Sequence, residues 1–198
     1  MQKNGLDPNS GTIGRANLHG SRVDQHFIKA GDSPLGLAVD DSHIYWTHRY
    51  WNFSSGGFSD SIGRANLDGS AVNQHFIGVS NKLTGVAVNS RYIYWSNSGE
   101  DTIGRADLDG TAIDQRCIAA RGVPLGNVPE GLAVDSEHVY WTNYPANTIG
   151  RASLDGSGLN ERFIIVKRVP GGDRIRTRRR QPSPSKRLSD QRASLSVC

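Results

Sequence analysis

One histidine of the six stands where catalysis could be asked of it alone. His43 and His138 recur in register with each other, as do His26 and His75, whereas His48 has no counterpart. A metal-dependent lyase or hydrolase would set such an imidazole beside carboxylates such as Glu100 or Glu130, around a divalent ion that activates water or polarises the substrate. No paired His and Glu arrangement follows from the spacing. No Ser-His-Asp order, phosphate loop or Cys-His pair emerges either. Asp107-Leu108-Asp109-Gly110 spaces its carboxylates as a calcium loop does, yet it lacks the remaining ligands and the distal Glu of a twelve-residue loop, so a turn is the better account. Cys117 and Cys198 make neither a disulfide framework nor a metal site. The expectation is no catalytic residue, no metal and no cofactor.

Recognition is better served. Arg49, Tyr50, Trp51 and Phe53 crowd one short stretch, and Arg121 opens a second, Arg121-Gly122-Val123-Pro124. Aromatic side chains beside arginine are the types that dominate binding hot spots. Their meeting depends on the elements that carry them.

Those elements repeat. Ile-Gly-Arg-Ala begins at Ile13, Ile62, Ile103 and Ile149, at intervals of 49, 41 and 46 residues, the range in which one repeat is a propeller blade or a solenoid turn. Tyr45-Trp46 returns as Tyr94-Trp95 and Tyr140-Trp141, and Leu67-Asp68-Gly69 returns as Leu108-Asp109-Gly110 and Leu154-Asp155-Gly156. Each unit holds four short β-favouring runs divided by turn residues, with no 3.6-residue apolar period. Such a unit reads as one four-stranded antiparallel blade, and the chain as an all-β propeller. Strand alternation puts Ile44 and Trp46 on one face and Tyr45 on the other, so each blade presses aromatic surface on both neighbours. A blade alone has no core.

Tyr45-Trp46-Thr47, Tyr94-Trp95-Ser96 and Tyr140-Trp141-Thr142, each followed by Ile-Gly-Arg-Ala-x-Leu-Asp-Gly or its near variant, resemble the YWTD repeats of low-density-lipoprotein-receptor-type propellers, or class B repeats, across residues 12 to 165. The resemblance implies a six-bladed ring. It also implies an acidic residue at the fourth motif position, where this chain has His48, Asn97 and Asn143. A rival resemblance, to the streptogramin B lyase group whose repeats also contain Ile-Gly-Arg phrases, implies a metal-dependent enzyme using His48 with acids such as Glu100.

The chain of 198 residues covers about 3.5 blades of an incomplete six-bladed type. A partial blade is expected at 12–28, blades at about 35–77, 83–118 and 129–165, all within a repeat region at 1–166. An open arc would expose Ile44 and Trp46, or their equivalents, at its ends. Self-association into a ring-closing homodimer would cover them, and a truncated or frame-shifted product would leave them wet. Residues 167–198 hold ten Lys or Arg against two Asp, so the chain's net +4 divides into +8 for that segment and −4 for the repeats. The segment reads as a basic disordered tail, and nucleic acid is disfavoured as a partner because the basic charge lies off the folded surface.

No membrane-length apolar run and no signal-peptide pattern occur in the sequence as given. The expected location is cytoplasmic, or secreted if the start is truncated. Two insertions break the repeat symmetry: the step from Trp46 to Ile62 is 16 residues against 8 in the later units, and Ile118 to Leu132 is 14 against 9. Both fall on one face of the disc. Arg49, Tyr50, Trp51, Phe53 and Arg121 are therefore the expected contacts for an unidentified protein or small-molecule ligand. The competing expectation is that Trp51 and Phe53 fold back over the open end. The recurring Arg15, Arg64, Arg105 and Arg151 are expected to be structural links, since sites break a repeat's symmetry.

Overall fold

A computed structural model describes residues 11–52, 54, 56–79, 82–120 and 128–166. The described residues all belong to the unit Met1–Arg168. Alternating apolar and polar residues with β-branched and aromatic side chains give strands throughout. β1 (Gly11–Arg15) and β2 (Asp24–Gly31) form a two-stranded sheet, the outer half of a first blade. The second blade is β3 (Ser33–Val39), β4 (His43–Asn52), β5 (Gly57–Asn66) and β6 (Asn73–Val79); the third is β7 (Leu83–Val88), β8 (Tyr92–Asn97), β9 (Thr102–Asp107) and β10 (Asp114–Ile118). The fourth is β11 (Val128–Val134), β12 (His138–Tyr144), β13 (Thr148–Ser153) and β14 (Asn160–Ile165). Every blade runs antiparallel in chain order, with the first strand innermost and the fourth outermost.

Side chains close the turns. The Asp40 carboxylate accepts the amides of Ser42 and His43, both at 2.7 Å, and Asn89 and Asp135 repeat the arrangement between the first two strands of the next blades. In the Leu-Asp-Gly turns, Gly69, Gly110 and Gly156 take φ of 83°, 86° and 87°, a left-handed conformation that glycine adopts without strain.

The core lies between blades. Ile44, Trp46 and Ala65 pack on Ile13, Ile28 and Ala30 of the first blade, while Tyr45 turns the other way, into a cluster with Val86, Ile93 and Trp95 of the third. Tyr94 and Trp141 repeat this between the third and fourth. The third motif residue ties the blades together by hydrogen bonds: the Thr47 hydroxyl donates to the Thr84 carbonyl at 2.9 Å and the Ser96 hydroxyl to the Glu130 carbonyl at 2.7 Å. The repeated arginines do the same from the outside. Arg64 donates to the Leu108 carbonyl and Arg105 to that of Leu154, at 3.2 and 3.1 Å, while Arg15, Arg64 and Arg151 lie over Phe27, Phe76 and Phe163 at about 4 Å.

The ends differ from expectation in one respect. Ile44 and Trp46 are buried, because β1 and β2 cover them. The wet residues are Leu35, Leu37 and Val39 on the innermost strand, at 60%, 57% and 60% exposure. The two outer strands of the first blade do not reach that far inward. Each of these side chains forgoes roughly half of the about 1.5–3 kcal/mol that full burial contributes. At the other end Phe163, Ile164 and Ile165 are exposed, and the buried Nε of Arg151 finds no acceptor among the described residues.

Candidate functional site

The insertion between Trp46 and Ile62 is not a loop. β4 and β5 continue past the point where their counterparts end, so that Asn97 with Thr102 and Asn143 with Thr148 close the other hairpins, whereas here His48↔Ser61 is followed by Arg49↔Asp60, Tyr50↔Ser59, Trp51↔Phe58 and Asn52↔Gly57. The added residues include aromatics that favour a pleated surface, and the ladder continues as far as Asn52↔Gly57.

Alternation splits the predicted contacts. Arg49 turns to the side of the third blade, where its Nε donates to Asp60 at 2.9 Å. Asp60 is itself buried and accepts the Lys82 amide at 2.7 Å, so the arginine is held in an ion pair rather than extended toward solvent. Tyr50 turns to the opposite face, edge-on to His75 with 4.8 Å between ring centroids and 5.7 Å from the His48 ring. The backbone of Trp51 pairs with Phe58. Phe53 and Arg121 lie outside the described residues.

Beneath Tyr50 is a polar cluster that sequence reading did not assemble. His48 Nε2 lies 2.5 Å from the Gln74 carbonyl and 2.7 Å from the Ser61 hydroxyl. Ser61 also donates to Gln74 at 3.0 Å and approaches His75 Nδ1 at 3.3 Å. A carbonyl only accepts, so Nε2 carries the hydrogen. It cannot then take the Ser61 proton, and the pair is no nucleophile with its base. The repeat explains it. Asn97 donates to the Thr102 hydroxyl and the Gln115 carbonyl, and Asn143 to the Thr148 hydroxyl and the Glu161 carbonyl, at 2.9–3.1 Å. In all three blades the fourth motif residue clamps the third strand to the outermost, without the carboxylate that the resemblance implies at this position. The signal was present in sequence as the matched trios His48/Ser61/Gln74, Asn97/Thr102/Gln115 and Asn143/Thr148/Glu161.

The clamp carries a pH dependence. Among the described residues His48 Nδ1 is buried without a hydrogen-bond partner; burial holds the imidazole below its ordinary pKa, with His75 adding to the depression and the Gln74 hydrogen bond, Asp32 and Asp60 opposing it. A depressed histidine supports folding above its unfolded pKa of about 6.5, and that support is lost as pH falls through the lowered value. His48→Asn, which supplies the clamp found in the other blades, should remove this dependence and leave stability at pH 8 within about 1 kcal/mol. His48→Ala should cost about 1–3 kcal/mol there, because the Gln74 carbonyl loses its ring donor. Urea melts of both variants between pH 5 and 8 check this, and an unchanged pH profile in His48→Asn would refute the assignment.

Glu100, the acid named beside His48, pairs instead with Arg116 at 3.1 Å within the third blade. Among the described residues no group of three or more His, Cys, Asp and Glu could hold a metal ion. Asp109 accepts the amide and hydroxyl of Thr111 at 2.9 and 2.6 Å, which is a turn.

Residues 91–136 match the model of low-density lipoprotein receptor repeat class B. A chain of a nidogen/laminin complex has 26% identity and a TM-score of 0.56 over 73% of this chain and 52% of that one. A gluconolactonase from Xanthomonas campestris aligns with the same TM-score of 0.56 at 18% identity, over 75% of this chain and 53% of that one, a likeness of fold alone. The chain thus spans about half the length of either structure. Comparison with curated proteins gives no match. The architecture is a partial β-propeller, and the class B match covers one of its repeats.

Proposed function

We propose that this repeat arc is a non-catalytic binding and scaffolding module that takes a protein ligand on the face bearing the extended β4–β5 hairpin, with Tyr50, Trp51, Phe53 and Arg121 as its contacts and Arg49 as the residue that braces them. The observation that carries the reading is the hairpin itself. Its ladder runs four pairs beyond those of the other blades, and it breaks the repeat symmetry with the residue types that serve recognition. Arg49, tied to Asp60, acts by bracing the ribbon, and Tyr50, propped on the two imidazoles, presents a rigid ring. A propeller in a nidogen/laminin complex supports a protein as the ligand class. No helix among the described residues is long and apolar enough to cross a membrane.

Affinity capture from a protein extract, repeated with Tyr50→Ala, Trp51→Ala and a control Asp109→Ala in a turn of the third blade, tests the reading. A captured protein should be lost with the first two variants at unchanged thermal stability and retained with the third. Capture and melting temperature should both be indifferent to chelation. Loss of stability in place of binding, or equal capture by all variants, refutes the assigned face.

A further inference from the structure

One place on the outermost strand of each blade holds glutamine three times and then glutamate. Gln25, Gln74, Gln115 and Glu161 stand directly before His26, His75, Arg116 and Arg162. An amide and a carboxyl share a shape, but the amide donates hydrogen bonds and the ionised carboxylate only accepts them. The exchange matters wherever the place needs a donor.

In the second blade a donor is used. Gln74 Nε2 reaches across the junction and donates to the Lys29 carbonyl of the first blade at 3.2 Å. Lys29 follows Ile28 as Ala119 follows Ile118, and the two isoleucines pair alike, Ile28 with Ile13 and Ile118 with Ile103. Between the third and fourth blades the corresponding partners are therefore Glu161 and the Ala119 carbonyl.

Glu161 is satisfied on one oxygen only. Oε2 accepts the Trp141 indole N–H at 3.4 Å and Asn143 Nδ2 at 3.3 Å, whereas Oε1 is buried with no hydrogen-bond partner among the described residues. Asp101, in the turn between β8 and β9, faces the carboxyl from the third blade and repels its charge. The nearby cations are engaged elsewhere: Arg116 pairs with Glu100, Arg151 lies over Phe163, and Arg162 falls on the opposite pleat of β14. A buried carboxylate oxygen without a donor is costly. Burial accordingly holds the Glu161 carboxyl above its ordinary pKa, the Trp141 and Asn143 hydrogen bonds opposing the rise and Asp101 adding to it.

We propose that Glu161 is a proton-operated latch between the third and fourth blades: protonated on Oε1 it donates a hydrogen bond to the Ala119 carbonyl, as the Gln74 amide does to Lys29, and on losing that proton to solvent it lets go. Its sign is opposite to that of His48. A carboxyl with a raised folded pKa supports folding in full below its ordinary value of 4.5 and loses that support as pH rises through the folded value. The latch lies apart from the β4–β5 hairpin, and its test does not depend on the ligand of that face.

Glu161→Gln supplies the donor at every pH. In urea titrations of the full chain it should raise the midpoint by roughly 0.5 M at pH 7.5, an advantage over the unaltered chain that shrinks toward zero by about pH 4, where Glu161 is itself protonated. Carbon-detected NMR of the unaltered chain keeps the test open should the variant fail to fold. The Glu161 carboxyl should titrate with a midpoint above 4.5, and the Ala119 carbonyl carbon should shift with the same midpoint. Asp101→Asn, a change that the left-handed backbone there accepts, should lower both midpoints together. A carboxyl midpoint at or below 4.5, an Ala119 carbonyl carbon that does not follow it, or a Glu161→Gln advantage that is the same at every pH overturns the proposal.

Discussion

Trp95→Ala is expected to cost about 3–5 kcal/mol, the range for deleting a large aromatic from a core. Trp95 is wholly buried, and it belongs to the cluster that joins the second and third blades, with Tyr45, Ile62, Ile77 and Val86. No other element can close on the space, because the indole lies between two sheets whose spacing is fixed by the Thr47–Thr84 and Arg64–Leu108 hydrogen bonds. Set against a domain stability of roughly 5–15 kcal/mol, the loss removes much of what holds the arc together. A urea titration should show a lower midpoint, and a second transition if the blades on either side come apart separately. A single transition displaced by less than about 1.5 kcal/mol would mean that the blades do not depend on this junction for their core.

The second large effect contrasts two glycines of the same motif. Gly63→Ala puts a methyl 2.2 Å from Trp46 Cε2, and the ring cannot retreat: its Nε1 donates to the Ala30 carbonyl at 2.9 Å and its other side meets Ile28 and Ala30. Overpacking of this kind costs about 1–3 kcal/mol, and the rigid partners on both sides place it at the upper end. Gly14→Ala, four residues into the β1 strand that begins at Gly11, adds the same methyl where the nearest atoms are at 3.4 Å. Its backbone is not left-handed, so the change should be neutral or stabilise by up to about 1 kcal/mol through the unfolded chain. Thermal melts of the pair, side by side, check both. Equal losses would show that the glycine serves backbone conformation rather than the indole.

Much of the architecture was legible because it is written in short-range pattern. The Ile-Gly-Arg-Ala period, the Asp and Gly turns, and the opposed faces of Tyr45 and Trp46 all follow from residues within a strand or a turn of one another. The candidate site was less legible. Arg49 and Tyr50 are sequence neighbours, yet the pleat sends them to opposite faces, one to Asp60 and one to His75. The inserted stretch is strand, and Arg49 pairs with Asp60 where the ladder continues past the other hairpins. His48, singled out as the residue that broke the pattern, keeps it: an imidazole at this place makes the same two contacts as the Asn97 and Asn143 amides.

The amino-acid order alone determined that this protein is a row of four-stranded β units with aromatic faces, since a two-residue alternation and a turn signal are local and need no partner. Tertiary structure decided which face meets which blade, and therefore that Leu35, Leu37 and Val39 are wet while Ile44 and Trp46 are not. It also decided that Gly14, alike in sequence to Gly63, has no indole of the described residues on it. Burial is a property of two surfaces in contact, and here the second surface belongs to a repeat some forty to fifty residues away, beyond the reach of any local pattern.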